Sequence, residues 1–223
     1  MNNKVKSITV IAGNYPAPGH VALVFVQQLV HAIIDMGVKV TVIAPQSIVH
    51  SIVHKKSLLP KHSKVTTERG YIYDVHRPYT LSFGKNNLFS TFTSHYNRHK
   101  IEKLLVNINT DALYTHFWGS TALVYKYALK NKLPLFVACG ESGDLFASEL
   151  RHFSVETKEK MSKAVTGIIS VSAENKRKCI EYSLGKAENI EVLPNAIQAD
   201  RFYRADASDM KNKLGINNDD FVI

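Results

Sequence analysis

Short, nearly continuous apolar runs alternate along this chain with longer segments of helical periodicity, and that alternation restricts the fold more than any other feature. Lys4 to Ala12 has strand character, and Val21 to Met36 follows with apolar residues at 21, 24, 25, 29, 32, 33 and 36, the spacing of a helix packed on a sheet. Gly37 ends that helix. Val38 to Ala44 is a second apolar run, as expected of a strand covered on both faces. Strand, helix and strand in this order imply two parallel strands joined by a right-handed crossover. The pattern recurs with strands at Asp111 to His116, Leu135 to Ala138, Gly167 to Val171 and Ile190 to Leu193. Helices separate them at Ser120 to Asn131, Thr157 to Ala164 and Ala173 to Leu184. The expected fold class is α/β, a doubly wound and mostly parallel sheet with helices on both faces.

Between Gln46 and Val106 the order is looser. A short helix, a strand at Tyr71 to Val75, a loop around Arg77-Pro78-Tyr79 and a long helix from about Asn87 are expected. The tandem Ser47-Ile48-Val49-His50 and Ser51-Ile52-Val53-His54 stacks His50 over His54 on a helix. No acid or cysteine accompanies them, so a wet basic face is expected there and no metal site. Charge is concentrated in the same region: of the net +9, residues 46–104 carry ten Lys/Arg against three acids, together with six histidines. Such a field draws anions: lipid headgroups, phosphorylated acceptors or nucleic acid. Tyr71, Tyr73, Tyr79, Phe83, Phe89, Phe92 and Tyr96 stud it, which suits docking to an anionic membrane or glycan. Strand-embedded aromatics of a nucleic-acid recognition module are missing, so nucleic acid is not an expected partner.

In an open parallel sheet, ligands bind beyond the carboxyl ends of the strands, so the residues following each strand are the candidates. After the first strand comes Gly13-Asn14-Tyr15-Pro16-Ala17-Pro18-Gly19-His20, a loop feeding a helix N-terminus where free N–H groups favour an anion. Its glycines lie six apart and do not form G-x-G-x-x-G, which argues against a nicotinamide or flavin enzyme. A plain proline-rich connection is the alternative. His116-Phe117-Trp118-Gly119 puts an imidazole and the sole tryptophan at a strand end, and both types suit sugars: aromatic faces pack on pyranose C–H groups, and imidazole bonds hydroxyls. Cys139-Gly140-Glu141-Ser142-Gly143-Asp144 offers two glycines for close backbone approach and two carboxylates for hydroxyls; helix capping by Ser142 or Asp144 is the competing role. Ser170-Val171-Ser172 reads as a structural serine cap on a basic helix. No Ser-His-Asp order, paired metal ligands or P-loop occurs. Cys139 and Cys179 lack metal-ligand spacing and are expected as free thiols in a reducing compartment, the cytoplasm. Val21 to Met36 is too short to span a bilayer and carries Gln27, Gln28, His31 and Asp35.

Taken together, several of these pieces resemble the N-terminal domain of a GT-B glycosyltransferase of family 4 over essentially the whole length. The matching features are Tyr15-Pro16, Met36-Gly37-Val38-Lys39-Val40-Thr41-Val42-Ile43, Thr115-His116-Phe117, Pro134 to Asp144 and Ser170-Val171-Ser172. The closing match is Val192-Leu193-Pro194-Asn195-Ala196-Ile197 with Asp200 to Phe202. The chain departs from the family's pattern at His20, Cys139 and Ala196. The resemblance implies a Rossmann-like acceptor-side domain over residues 1–202, with 203–223 a linker and Phe221-Val222-Ile223 the first strand of a donor-binding domain that is missing here. It implies transfer of a sugar, with retention, from a nucleotide-diphosphate donor used as co-substrate, with no other cofactor and no metal. The acceptor is a saccharide or lipid-linked molecule in cell-surface polysaccharide or glycolipid synthesis. His116 is the expected catalytic residue. Gly13, Tyr15, Gly19, Trp118, Gly140, Glu141, Asp144 and Asn195 are the expected substrate-binding residues. The implied location is cytoplasmic, peripheral on the inner face of the membrane, and the isolated fragment is expected to be inactive. A non-catalytic saccharide- or nucleotide-binding module is the alternative.

Overall fold

The computed structural model describes residues 5–81, 90–141, 150, 151, 153–196, 206–217 and 220. These fall into two compact units, Met1–Leu193 and Pro194–Ile223. The first holds an eight-stranded sheet ordered β10-β9-β8-β7-β1-β2-β5-β4. Its strands are β1 (Ser7–Ala12), β2 (Lys39–Ile43), β4 (His62–Thr66), β5 (Ile72–His76), β7 (Ala112–His116), β8 (Leu135–Cys139), β9 (Gly167–Ser170) and β10 (Ile190–Val192). Every neighbouring pair is parallel except β4 with β5. Successive strands run outward from β1 in both directions, through β2 and β5 on one side and through β7 to β10 on the other. The topological switch point therefore lies between β1 and β7. Their last residues, Ala12 and His116, are register partners.

Successive residues of these strands feed opposite faces, which is why the runs are continuously apolar. Ile11, Ile43, Leu113, Leu135 and Val137 join one core with residues of α3 (Ser90–Leu105), α4 (Trp118–Asn131), α5 (Val155–Ala164) and α6 (Ala173–Glu181). Val10, Val42, Tyr114 and Ala138 join the other, covered by Val26 and Val30 of α1 (Val24–Asp35). Each fully buried Val, Leu or Ile contributes about 1.5–3 kcal/mol relative to exposure. Ser154 and Ser172 cap α5 and α6 by accepting from Thr157 N–H and Asn175 N–H, so the serine expected as a structural cap is one.

Three elements differ from the sequence expectation. The helix expected over Val21 to Met36 starts at Val24, and its buried stripe is Val26 and Val30; Val21, Val24, Phe25 and Met36 are exposed. Leu23, at φ 48° and ψ 46°, turns the chain just before the helix and so shifts its phase. The antiparallel edge strand β4 carried no legible signal, because its residues His-Ser-Lys-Val-Thr alternate without a strong apolar face. A parallel pair, β3 (Gln46–Ser47) and β6 (Tyr79–Thr80), flanks the short helix α2 (Ile48–Val53), on which the His50 and His54 rings stack at 4.2 Å. No group of metal-binding side chains occurs among the described residues. No described helix is long and apolar enough to cross a membrane.

The last strand tie before the second unit is Leu193 N–H to Ser170 C=O, so the division falls inside the span expected as 1–202. The second unit contains α7 (Ser208–Lys213). Phe221-Val222-Ile223 lies outside the described residues.

Candidate functional site

The carboxyl edge of the sheet collects the ends of β1, β2, β5, β7 and β8, and four of the expected residues sit there in contact or in register. His116 closes β7 and is 7% exposed. Its ring packs between Phe25 of α1 (centroids 5.1 Å) and Phe117 (4.1 Å), with Tyr114 farther off at 6.4 Å. Neither ring nitrogen has a hydrogen-bond partner among the described residues. Burial among these apolar rings pulls the imidazole pKa down to about 4, so at neutral pH the ring is uncharged and holds one donor and one acceptor, both unused.

The next residue, Phe117, has φ 71° and ψ 157°, a region that side-chain-bearing residues rarely occupy. Its N–H is held by Ala138 C=O at 3.0 Å. This kink sends the chain directly into α4, so that Trp118 becomes the first helical residue and points into the core. Trp118 is 0% exposed, which corrects the expectation that its indole offers a face to a sugar. The aromatic surface beside His116 comes from Phe25, 51% exposed on the first turn of α1. Sequence reasoning had placed Phe25 on the packed stripe. Its departure from the Val26 and Val30 phase was the signal available.

Glu141 is buried, and one of its carboxylate oxygens accepts the Trp118 backbone N–H at 2.9 Å. A carboxylate at a helix N-terminus both accepts a free N–H and favours the helix dipole. Its backbone carbonyl in turn accepts from the Asn175 side chain at 3.0 Å. Glu141 therefore caps α4; Ser142 and Asp144, the residues expected to cap a helix of their own, lie outside the described residues. At Gly140 an added Cβ would meet Val171 Cγ1 at 3.2 Å and Phe117 Cε1 at 3.6 Å. The close approach expected of a ligand is made here by two side chains. Cys139 and Cys179 are free, buried thiols with Sγ atoms 3.5 Å apart, and their mutual hydrogen bond together with burial pushes the Cys139 thiol up, leaving it protonated and inert.

After β1, Gly13 is exposed and nothing would touch a Cβ placed on it. Tyr15, expected at the substrate, is 2% exposed, and its hydroxyl bonds that of Tyr73 at 2.9 Å; His31 Nε2 meets the same Tyr73 oxygen at 3.1 Å. Tyr15 therefore anchors the loop from inside. Ala17 and His20 exchange backbone hydrogen bonds around Pro18-Gly19, with Gly19 at φ +72°, the position of a two-residue turn that demands a left-handed residue. Gly19 thus serves the turn, and α1 begins five residues later with no side-chain cap. Asn195 is exposed in the second unit. Arg77, expected only as part of a loop with Pro78 and Tyr79, directly follows β5 on the same edge.

The family model for Glycosyltransferase Family 4 matches residues 22–201. No curated protein matches the sequence. Among solved structures, sucrose-phosphate synthase from Thermosynechococcus elongatus is similar at 12% identity and TM-score 0.64, over 96% of this chain and 53% of that one. Anabaena HepE, solved in complex with UDP and glucose, is similar at 13% identity and TM-score 0.56, over 93% of this chain and 50% of that one. UDP-N-acetylglucosamine 2-epimerase from Rickettsia bellii is similar at 14% identity and TM-score 0.50, over 83% of this chain and 44% of that one. At these identities the likeness is one of fold, and the chain spans about half the length of these three proteins.

Proposed function

The chain belongs to glycosyltransferase family 4, and from that premise we propose that it forms the acceptor-binding side of an enzyme that moves a sugar from a nucleotide-diphosphate donor to a saccharide or lipid-linked acceptor. One observation carries the reading: at the switch point of the sheet stands a neutral imidazole with both nitrogens unpartnered and an exposed phenyl ring beside it. A switch point is where ligands lie in open α/β sheets. The Phe25 face suits the C–H side of a pyranose, and His116 suits a hydroxyl of the same ring. An imidazole this far below its ordinary pKa is a poor proton carrier at pH 7. His116 therefore acts by orienting the sugar through a hydrogen bond, and catalysis comes from that positioning and from groups that stabilise the departing diphosphate. Glu141 and the Phe117 kink fix where α4 begins and so where His116 points. Hydroxyl contacts from Asp144 and Asn195, phosphate contacts from the loop at Gly13 and Gly19, and retention of configuration complete the reading as proposals.

Donor stabilisation belongs to a second domain in this scheme, so residues 1–223 alone turn over no nucleotide sugar. Incubating them with UDP-, GDP- and ADP-sugars and a saccharide panel checks this. Release of nucleoside diphosphate dependent on the acceptor would show that the site is not split.

A second reading concerns the basic region. Ile52 and Val53 are exposed at the end of α2, separated from Lys55 and Lys56 only by His54. Apolar side chains beside cations favour the surface of an anionic bilayer, and this supports a reading in which the protein works as a peripheral protein on the cytoplasmic face of a membrane. Sedimentation with phosphatidylglycerol vesicles should show binding that weakens with salt and with Ile52→Ser plus Val53→Ser. Equal binding to neutral vesicles would count against it.

A further inference from the structure

Arg77 is 2% exposed and directly follows β5, on the edge that carries His116 and Gly13. Its Nη1 donates to Ser63 Oγ at 2.7 Å and its Nη2 to the Pro16 carbonyl at 3.0 Å, so it ties the loop after β1 to the edge strand β4. Both partners are neutral. Among the described residues Nε is buried with no hydrogen-bond partner, and none of their ion pairs includes this guanidinium. The acid on β5 itself, Asp74, is engaged by His62 Nε2 of the neighbouring strand β4 at 2.7 Å. The ionisable groups that act on it electrostatically are the phenols of Tyr15 and Tyr73, which burial keeps protonated. Lys61, whose Nζ lies 4.6 Å over the Tyr79 ring, and His76 add no negative charge. A guanidinium remains protonated in proteins, and a buried charge without a counter-charge is costly. Holding one loop does not require a charge; a neutral amide would donate the same bonds.

We propose that Arg77 is the anchor of an anion site at the carboxyl edge of the sheet, and that the acceptor carries a phosphate or carboxylate that supplies its counter-charge. The planar fork matches either group in a bidentate manner, and displacement of the Pro16 carbonyl frees the second arm for it. The acceptor assignment rests on the function proposed above; the anion site itself does not.

The two parts are tested separately on this chain. The thermal midpoint and the Arg77 Nε–H NMR signal are followed against inorganic phosphate at constant ionic strength. The expected result is a saturable rise in midpoint and a shift of the Nε–H signal, with the phosphate Kd at least tenfold weaker in Arg77→Gln and partly recovered in Arg77→Lys. An unmoved Nε–H signal in the unsubstituted chain overturns the site even if Arg77→Gln fails to fold, as does phosphate affinity that Arg77→Gln leaves unchanged. Glucose 1-phosphate and glucuronate are then compared with glucose and free phosphate. Sugar anions that perturb both Arg77 and His116 support an anionic acceptor. Sugar anions that bind no better than glucose assign the anion to another molecule and overturn that part.

Discussion

Phe117 occupies a backbone conformation that costs a side-chain-bearing residue about 1–3 kcal/mol, and it does so between the imidazole of His116 and the first residue of α4. Removing the ring while keeping a Cβ preserves that cost; removing both relieves it. Phe117→Gly should therefore be more stable than Phe117→Ala by about 1 kcal/mol in urea unfolding, against the usual ordering of Gly and Ala. Equal stabilities would mean that the torsions carry no strain. For His116 the pH dependence has a definite sign. Its folded pKa, about 4, lies below the unfolded value of about 6.5, so the unfolded chain takes up the proton first. The stability linked to it is fully present above pH 6.5 and is lost as pH falls toward 4, by about 3 kcal/mol at most. His31 and His76, also lowered chiefly by burial, act in the same direction. The His116 C2–H resonance should stay flat from pH 8 to 5, and His116→Gln should lose less stability over that range than the unsubstituted chain. Titration near 6.5 would remove the neutral-imidazole account.

At the scale of elements, what could be read from the sequence follows from burial. β1, β2, β7, β8 and β9 are buried along most of their length, so apolar residues dominate them and the runs stand out. β4 sits at the edge, and only its pairing with β5 reveals it. His116 was legible because a strand end in a parallel sheet is a place, not a motif. The fates of Trp118 and Phe25 were not, since both depend on left-handed torsions at Phe117 and Leu23 that composition does not announce. The phase of α1 gives a direct check: Val26→Ala should cost about 1–3 kcal/mol, whereas Phe25→Ala, though it removes a larger side chain, should cost less than about 1 kcal/mol. The reverse order would restore the stripe expected from the sequence. Glu141 illustrates the same limit. Its type suggested a ligand for hydroxyls, and its position made it the cap of α4.

For the whole molecule, family membership and a doubly wound sheet leave the chemistry to the site, since a synthase and an epimerase share this architecture. The chemistry this chain offers at its edge is, among the described residues, an exposed phenyl ring, a neutral imidazole without hydrogen-bond partners, and a buried guanidinium without a counter-charge. The last of these falls within the stretch of sequence, residues 46–104, in which positive charge is concentrated. The central claim is that this edge binds saccharide. It is tested most directly by mapping amide and aromatic NMR shifts of residues 1–223 during titration with a panel of neutral and anionic mono- and oligosaccharides, with UDP alongside. The account predicts that saccharides move Gly13, Phe25, His116, Phe117 and Gly140 and that UDP moves them less. Saccharide shifts that leave His116 and Phe25 in place while UDP moves them would contradict it.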